Sequence, residues 1–142
     1  LTGFVYLSAI QDLYNNEIVA YSFSARNTLD LAFASLDKLP AMAGAILHSD
    51  QGFQYTHKLY QAELERLGLR GSHSRRGNCL DNACMESFFS HLKTEAFAGK
   101  NLCSPQETIA LVEEHIRFYN TERFQKRLGQ LSPIEFRKKL AA

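Results

Sequence analysis

Two runs of β-branched and aromatic residues, Phe4–Ile10 and Ile18–Phe23, lie either side of the polar stretch Asp12-Leu13-Tyr14-Asn15-Asn16-Glu17. Such side chains suit a pleated, half-buried surface, and an Asn-Asn pair tolerates the backbone of a tight turn. The spacing predicts a β-hairpin. That commits the chain to a sheet at its start, and the periodicity downstream decides what packs on it.

Asn27 or Thr28 is placed to cap a helix with Leu29, Ala32, Phe33 and Leu36 on one face, ended by Pro40. The short apolar run Ala45-Ile46-Leu47 stops at His48-Ser49-Asp50-Gln51-Gly52, a buried strand delivering an aspartate at its end. His57–Leu67 has helical spacing and closes at Gly68, a good stop residue. Gly71–Asp81 reads as a brief strand and a mobile loop, followed by a helix capped by Asp81 or Asn82 and running to about Phe97. Ser104-Pro105-Gln106-Glu107 and Ser132-Pro133-Ile134-Glu135 are capping boxes with Pro at the first helical position. The order strand, strand, helix, strand, helix, short strand, helices describes a mixed α/β domain. A length of 142 residues, 45% of them hydrophobic, suits one domain over 1–142, with C-terminal helices from about 104.

Charge and cysteines narrow the class. No apolar run approaches a membrane span and no signal peptide is visible, so no membrane partner is expected. Cys79, Cys84 and Cys103 are an odd number without the paired spacing of a zinc site, which points to reduced thiols in a cytoplasmic protein. The net charge of +1 does not announce a nucleic-acid binder, but its distribution is uneven. Residues 1–56 hold two basic side chains against five acids, and residues 117–139 hold seven against two. The C-terminal end is a candidate for phosphate contact, or a solvated basic tail.

On the helix that starts near Asp81, a 100° step places Asn82, Glu86, Ser90 and Lys93 on one polar face beside the apolar Met85, Phe88, Phe89 and Leu92. A helix carboxylate near a strand-end carboxylate is one way to hold Mg²⁺, which takes one or two protein carboxylates and fills its octahedron with water and phosphate oxygens. Asp50 and Glu86 are the candidate pair, with residues 51 to 85, 35 in all, between them. With fifteen acids in the chain, spacing alone favours two solvated or capping carboxylates.

The surrounding residues are more specific. HSDQGFQY around Asp50 and DNACMESFFSHLKTE around Glu86 resemble the two downstream motifs of the DDE transposases and integrases of bacterial insertion sequences. RRGNCLDNA and YNTERFQKRLGQLSPIEF are similar to further stretches of that family, so the resemblance covers nearly the whole chain. It implies an RNase H-like mixed sheet flanked by helices, with a metal site of two Asp and one Glu. Asp50 and Glu86 match the second and third acids. The resemblance further implies Mg²⁺, for which Mn²⁺ substitutes; DNA at element ends and in the target as partner; and a homo-oligomeric assembly. Lys93 matches a lysine aimed at DNA phosphates, and Asn82 would steady the site from behind the acids. Arg75, Arg76 and Asn78 belong to a loop expected to touch substrate DNA, with an exposed basic turn as the alternative.

The first acid has no counterpart. Family members carry it in a strand just upstream of Phe4, so this chain reads as a truncated core lacking its first strand and inactive alone. Asp12 aligns beside the missing acid and is expected to form the turn or support the site. Tyr119 is expected in the core by its helical stripe, and Asn120 and Arg123 at DNA or a partner subunit. The implied activity is metal-dependent DNA cleavage and strand transfer. A non-catalytic DNA-binding or assembly module is the alternative, and a nuclease for RNA–DNA hybrids is disfavoured by the motifs.

Overall fold

The computed structural model describes residues 3–75, 82–101 and 104–142. The hairpin forms as its residues predict: β1 (Tyr6–Gln11) pairs antiparallel with β2 (Ile18–Ser24), from Tyr6↔Ser24 to Ile10↔Ala20, and the register slips before Gln11↔Ile18. The turn is held by its own polar groups. The Asp12 N–H donates to the Glu17 carbonyl at 2.8 Å, the Asp12 carboxylate accepts the Tyr14 N–H at 2.8 Å, and Asn16 takes a φ of +63°. Asn is among the few residues that enter this left-handed region readily. Asn120 locks the hairpin from a distance, accepting the Ile18 N–H at 2.9 Å and donating to the Ile18 carbonyl at 3.0 Å.

Helix α1 (Leu29–Leu36) buries Leu31, Ala32, Ser35 and Leu36, and the Ser35 hydroxyl donates to the Ser8 carbonyl at 3.3 Å, so the helix lies across the hairpin. Thr28 stands at its N-cap without a side-chain bond, and Asn27 instead accepts from Gln54. Next come β3 (Ile46–Ser49), a helical turn α2 (Phe53–Thr56) not foreseen from periodicity, α3 (Lys58–Arg66) and β4 (Arg70–His73). β3 and β4 pair in parallel from Ile46↔Arg70 to Ser49↔His73. Gly68 closes α3 at a φ of +70°, which glycine adopts at no steric cost.

The helix expected to run to Phe97 is interrupted. α4 (Ala83–His91) passes into a π-helical turn, Leu92–Ala96. Arg123 anchors this turn: its guanidinium grips both oxygens of Glu95 at 2.8 to 3.1 Å and reaches His91 Nδ1 at 3.2 Å. Wide turns of this kind are uncommon and recur at functional sites. Beyond it, α5 (Pro105–Thr121) and α6 (Pro133–Ala141) both start in the predicted capping boxes. Tyr119 is buried, as its stripe position implies.

The apolar interior is in two parts. One joins Ile18 of β2 to Phe88 and Leu92 and to Val112, Ile116 and Tyr119 of α5. The other joins Ala32 and Leu36 of α1 to Tyr60, Leu64 and Leu69. The strands divide the same way: among the described residues β1–β2 and β3–β4 are separate two-stranded sheets. The free edges of β1 and β3 both border one cleft of about 800 Å³, lined continuously by residues 7–13 and 45–50. No described strand occupies that space, and Ile46 on β3 is left 61% exposed. No helix among the described residues is long and apolar enough to cross a membrane.

Candidate active site

Asp50 follows the last residue of β3, which is half-buried to exposed rather than the buried strand its apolar run predicts, and the strand carries the carboxylate to the cleft. Its Oδ1 accepts the Gly52 N–H at 2.7 Å, and a Cβ on Gly52 would stand 2.9 Å from that oxygen. A larger residue at position 52 would therefore push the Asp50 carboxylate aside. Glu86 lies in the first turn of α4, where the helix dipole favours a negative charge. Both carboxylates are exposed and both line the cleft, together with Asp12 and Asn82. Among the described residues, no cation pairs with Asp50 or Glu86. Burial pushes the Tyr55 hydroxyl above its ordinary pKa, and the nearby Asp50 charge pushes it further.

The two acids arrive from different halves of the molecule, and a polar hub joins them. Ser74 is buried just beyond β4, and its N–H donates to the Ser49 carbonyl at 2.8 Å. Its hydroxyl donates to that same carbonyl at 3.2 Å and lies 3.1 Å from His48 Nε2. Gln51 donates to the Ser74 carbonyl at 3.1 Å. From the other half, the Asn82 amide donates to the Ser74 hydroxyl at 2.7 Å. Asn82 thus holds the start of α4 by a tertiary bond instead of capping it. Ser74 is the residue that sequence reasoning missed. Its only signal is a place one residue past a short strand, which marks nothing by itself.

The remaining expected residues are spread. Asp12 forms the turn, as expected, while also lining the cleft. Lys93 is exposed on the π turn and does not line the cleft. Arg75 is exposed beside Ser74, and Arg76 and Asn78 lie outside the described residues. Asn120 and Arg123, expected at DNA or a partner, are engaged by Ile18 and Glu95 within the chain. As a donor set, the exposed carboxylates of Asp50 and Glu86, with no cationic partner among the described residues, suit a divalent cation. No group of three or more His, Cys, Asp or Glu among the described residues is arranged to hold a metal.

A split sheet with an acid just past the end of one strand, and a second acid on a packed helix lining the same cleft, defines a mixed α/β core with a polar cleft. The integrase core domain matches residues 1–79, and a second integrase core domain description matches residues 86–140. This chain belongs to the integrase core domain family. It is 42% identical over 137 residues to the putative transposase InsK for insertion sequence element IS150 of Escherichia coli (strain K12), covering 94% of this chain and 48% of that protein. It is 44% identical over 138 residues to an uncharacterized transposase-like protein of Haemophilus influenzae, covering 95% and 64%. The chain thus spans about half to two thirds of the length of these relatives. The fold is that of retroviral integrase cores, RNase H-like: the catalytic core domain of BIV integrase superposes with a TM-score of 0.73 at 17% identity, over 95% of this chain and 86% of that one. A chain of the simian T-cell lymphotropic virus intasome gives 0.76 at 16% identity, over 92% and 47%.

Proposed function

We propose that residues 1–142 form one domain, the catalytic core of an insertion-element transposase of the DDE type, which cuts and rejoins DNA at element ends. The observation that supports this reading most directly is that Asp50 and Glu86, on elements from separate halves, line one cleft with no cationic partner among the described residues. Asp50 and Glu86 are the metal-holding acids, and a divalent ion there, Mg²⁺ with Mn²⁺ able to replace it, would supply charge to the phosphodiester oxygens. The chain's own part is positioning. Asn82 anchors the helix that carries Glu86, Asp12 shapes the turn at the cleft, and Lys93, Arg75, Arg76 and Asn78 contact DNA backbone and fix its register. The nucleophile is water or a DNA 3′-hydroxyl, so no activated protein side chain is required. The protein works on element ends and target DNA in the cytoplasm, as a homo-oligomer.

Two carboxylates are few for an ion that demands near-ideal octahedral geometry, and the cleft beside β1 and β3 is where a further strand would bring a third. A chain extended upstream should therefore cleave and join labelled element-end DNA in Mg²⁺ or Mn²⁺, and this chain alone should not. The lack of a three-acid group among the described residues favours one second reading, a DNA-binding or assembly module without catalysis. The same assay separates them: a binding module gives salt-sensitive DNA affinity and no metal-dependent product, however far it is extended.

A further inference from the structure

Helix α4 presents a second face to a second, smaller cavity. Asn82 and Glu86 line the cleft, whereas Ser87 and His91, spaced by four, line a cavity of about 230 Å³ bordered on its other side by Arg123, Gln125 and the exposed Arg127. Among the described residues no carboxylate lines it. Arg123 is neutralised by Glu95, which it grips from outside the cavity. Arg127 is not: it donates to the Asn16 side-chain oxygen and the Leu13 carbonyl, each at 3.1 Å, both uncharged. Among the described residues no acid offsets its charge. Gln125 Nε2 is a buried donor beside the Tyr119 hydroxyl that completes no well-formed hydrogen bond among them, and the Ser87 hydroxyl is exposed at the cavity. An uncompensated guanidinium, an orphaned amide donor and a hydroxyl around one small space ask for a ligand with several acceptor oxygens and a negative charge. Gln11 Oε1, a buried acceptor also without a partner, is left for a water.

Gln11, Ala83 and Cys84 line both the cavity and the cleft, so the two spaces adjoin across the start of α4. We infer that this cavity is a subsite for one phosphate group, filled by a backbone phosphate of the DNA strand lying in the cleft. DNA as the source rests on the transposase reading, whereas the oxyanion site itself does not. With no cation bound, the exposed carboxylates of Asp50 and Glu86 disfavour a free anion beside them, which makes the cavity the place where a lone phosphate should settle.

Cys84, a free and half-buried thiol in the lining, supplies a readout. Its alkylation by iodoacetamide, followed by peptide mass mapping, should slow severalfold and saturably with inorganic phosphate, but not with chloride at the same ionic strength and pH. Ser87→Asp, at an exposed helix position that leaves the Arg127 contacts untouched, should abolish the protection, and Ser87→Ala should weaken it less. A short duplex should protect Cys84 at lower concentration, and Ser87→Asp should lower the salt slope of DNA binding by roughly one phosphate contact. Equal alkylation in phosphate and chloride overturns the site. Protection by phosphate but none by DNA overturns the backbone assignment. A transposase assay that fails for other reasons leaves the phosphate arm unchanged, so the two ideas fail separately.

Discussion

The Asn82 amide donates a 2.7 Å hydrogen bond to the Ser74 hydroxyl, joining two parts of the molecule whose apolar cores are distinct. β3, β4 and Asp50 belong to one part, and α4 with Glu86 to the other. Ser74→Ala should therefore cost about 1–3 kcal/mol in urea unfolding, since it strands the Asn82 amide and removes a bond to the Ser49 carbonyl. Ser74→Thr keeps the hydroxyl and should cost less. Equal unfolding free energies for the wild type and the alanine variant would show that the bridge holds nothing together.

The free edges of β1 and β3 give a second expectation, because unpaired strand groups beside a cleft exchange with water and accept other strands. Alternate amides of Tyr6–Gln11 and Ile46–Ser49, those pointing into the cleft, should exchange quickly, while their neighbours bonded to β2 and β4 are protected. A chain extended upstream should protect both sets and unfold at higher denaturant. Uniform protection in the present chain would mean that the gap is closed by association or rearrangement.

Acid sensitivity should centre on His115. It is buried among Phe88, Phe118 and Tyr119 with Nε2 unpaired, and Glu95, Arg123 and His91 are the charged or titratable groups that act on it. Burial holds its imidazole below the ordinary value, with Glu95 opposing and Arg123 and His91 adding to that shift. The unfolded chain then takes up the proton first, so this contribution to stability is full above about pH 6.5 and falls as the pH drops from there toward the depressed native value. Glu95 acts lower: Arg123 holds it below the ordinary carboxylate range, so its contribution is lost only in more acid solution. Urea midpoints at pH 7.5 and 5.5 should therefore differ less for His115→Phe than for the wild type. An unchanged difference would assign the acid loss to other histidines.

Much of this was legible in local chemistry. The hairpin follows from its β-branched runs and Asn-Asn turn, α5 and α6 from their capping boxes, and the cleft positions of Asp50 and Glu86 from a strand end and a helix face. What escaped depends on partners distant in sequence. The π turn, anchored through Glu95 by Arg123, 28 residues away, takes Lys93 out of the straight helix on which it was counted. Asn120 and Arg123 looked like surface contacts because their acceptors and donors, Ile18 and Glu95, are tertiary neighbours. Ser74 had no pattern at all.

DNA affinity should respond to the loop that begins at Arg75. Replacing Arg75 and Arg76 by Gln should weaken binding to unrelated sequences alike, and flatten the dependence of log affinity on log salt by about 0.9 for each phosphate no longer neutralised. The same affinity and slope in the double variant would return that loop to solvent.

Catalysis separates ligands from contacts. In a chain extended upstream that cleaves element ends, Asp50→Asn and Glu86→Gln should each abolish metal-dependent product, because each removes one of the two cleft carboxylates on which the metal reading stands. Lys93→Ala should do less. Lys93 sits on the π turn away from the cleft lining, so it can reach only DNA outside the metal site, and removing one charged hydrogen bond costs roughly tenfold to a hundredfold. Mn²⁺ binding, followed by its effect on water proton relaxation, should weaken in Asp50→Asn and Glu86→Gln and persist in Lys93→Ala. Full activity with Glu86→Gln would remove α4 from the metal site, whatever the family resemblance of its residues.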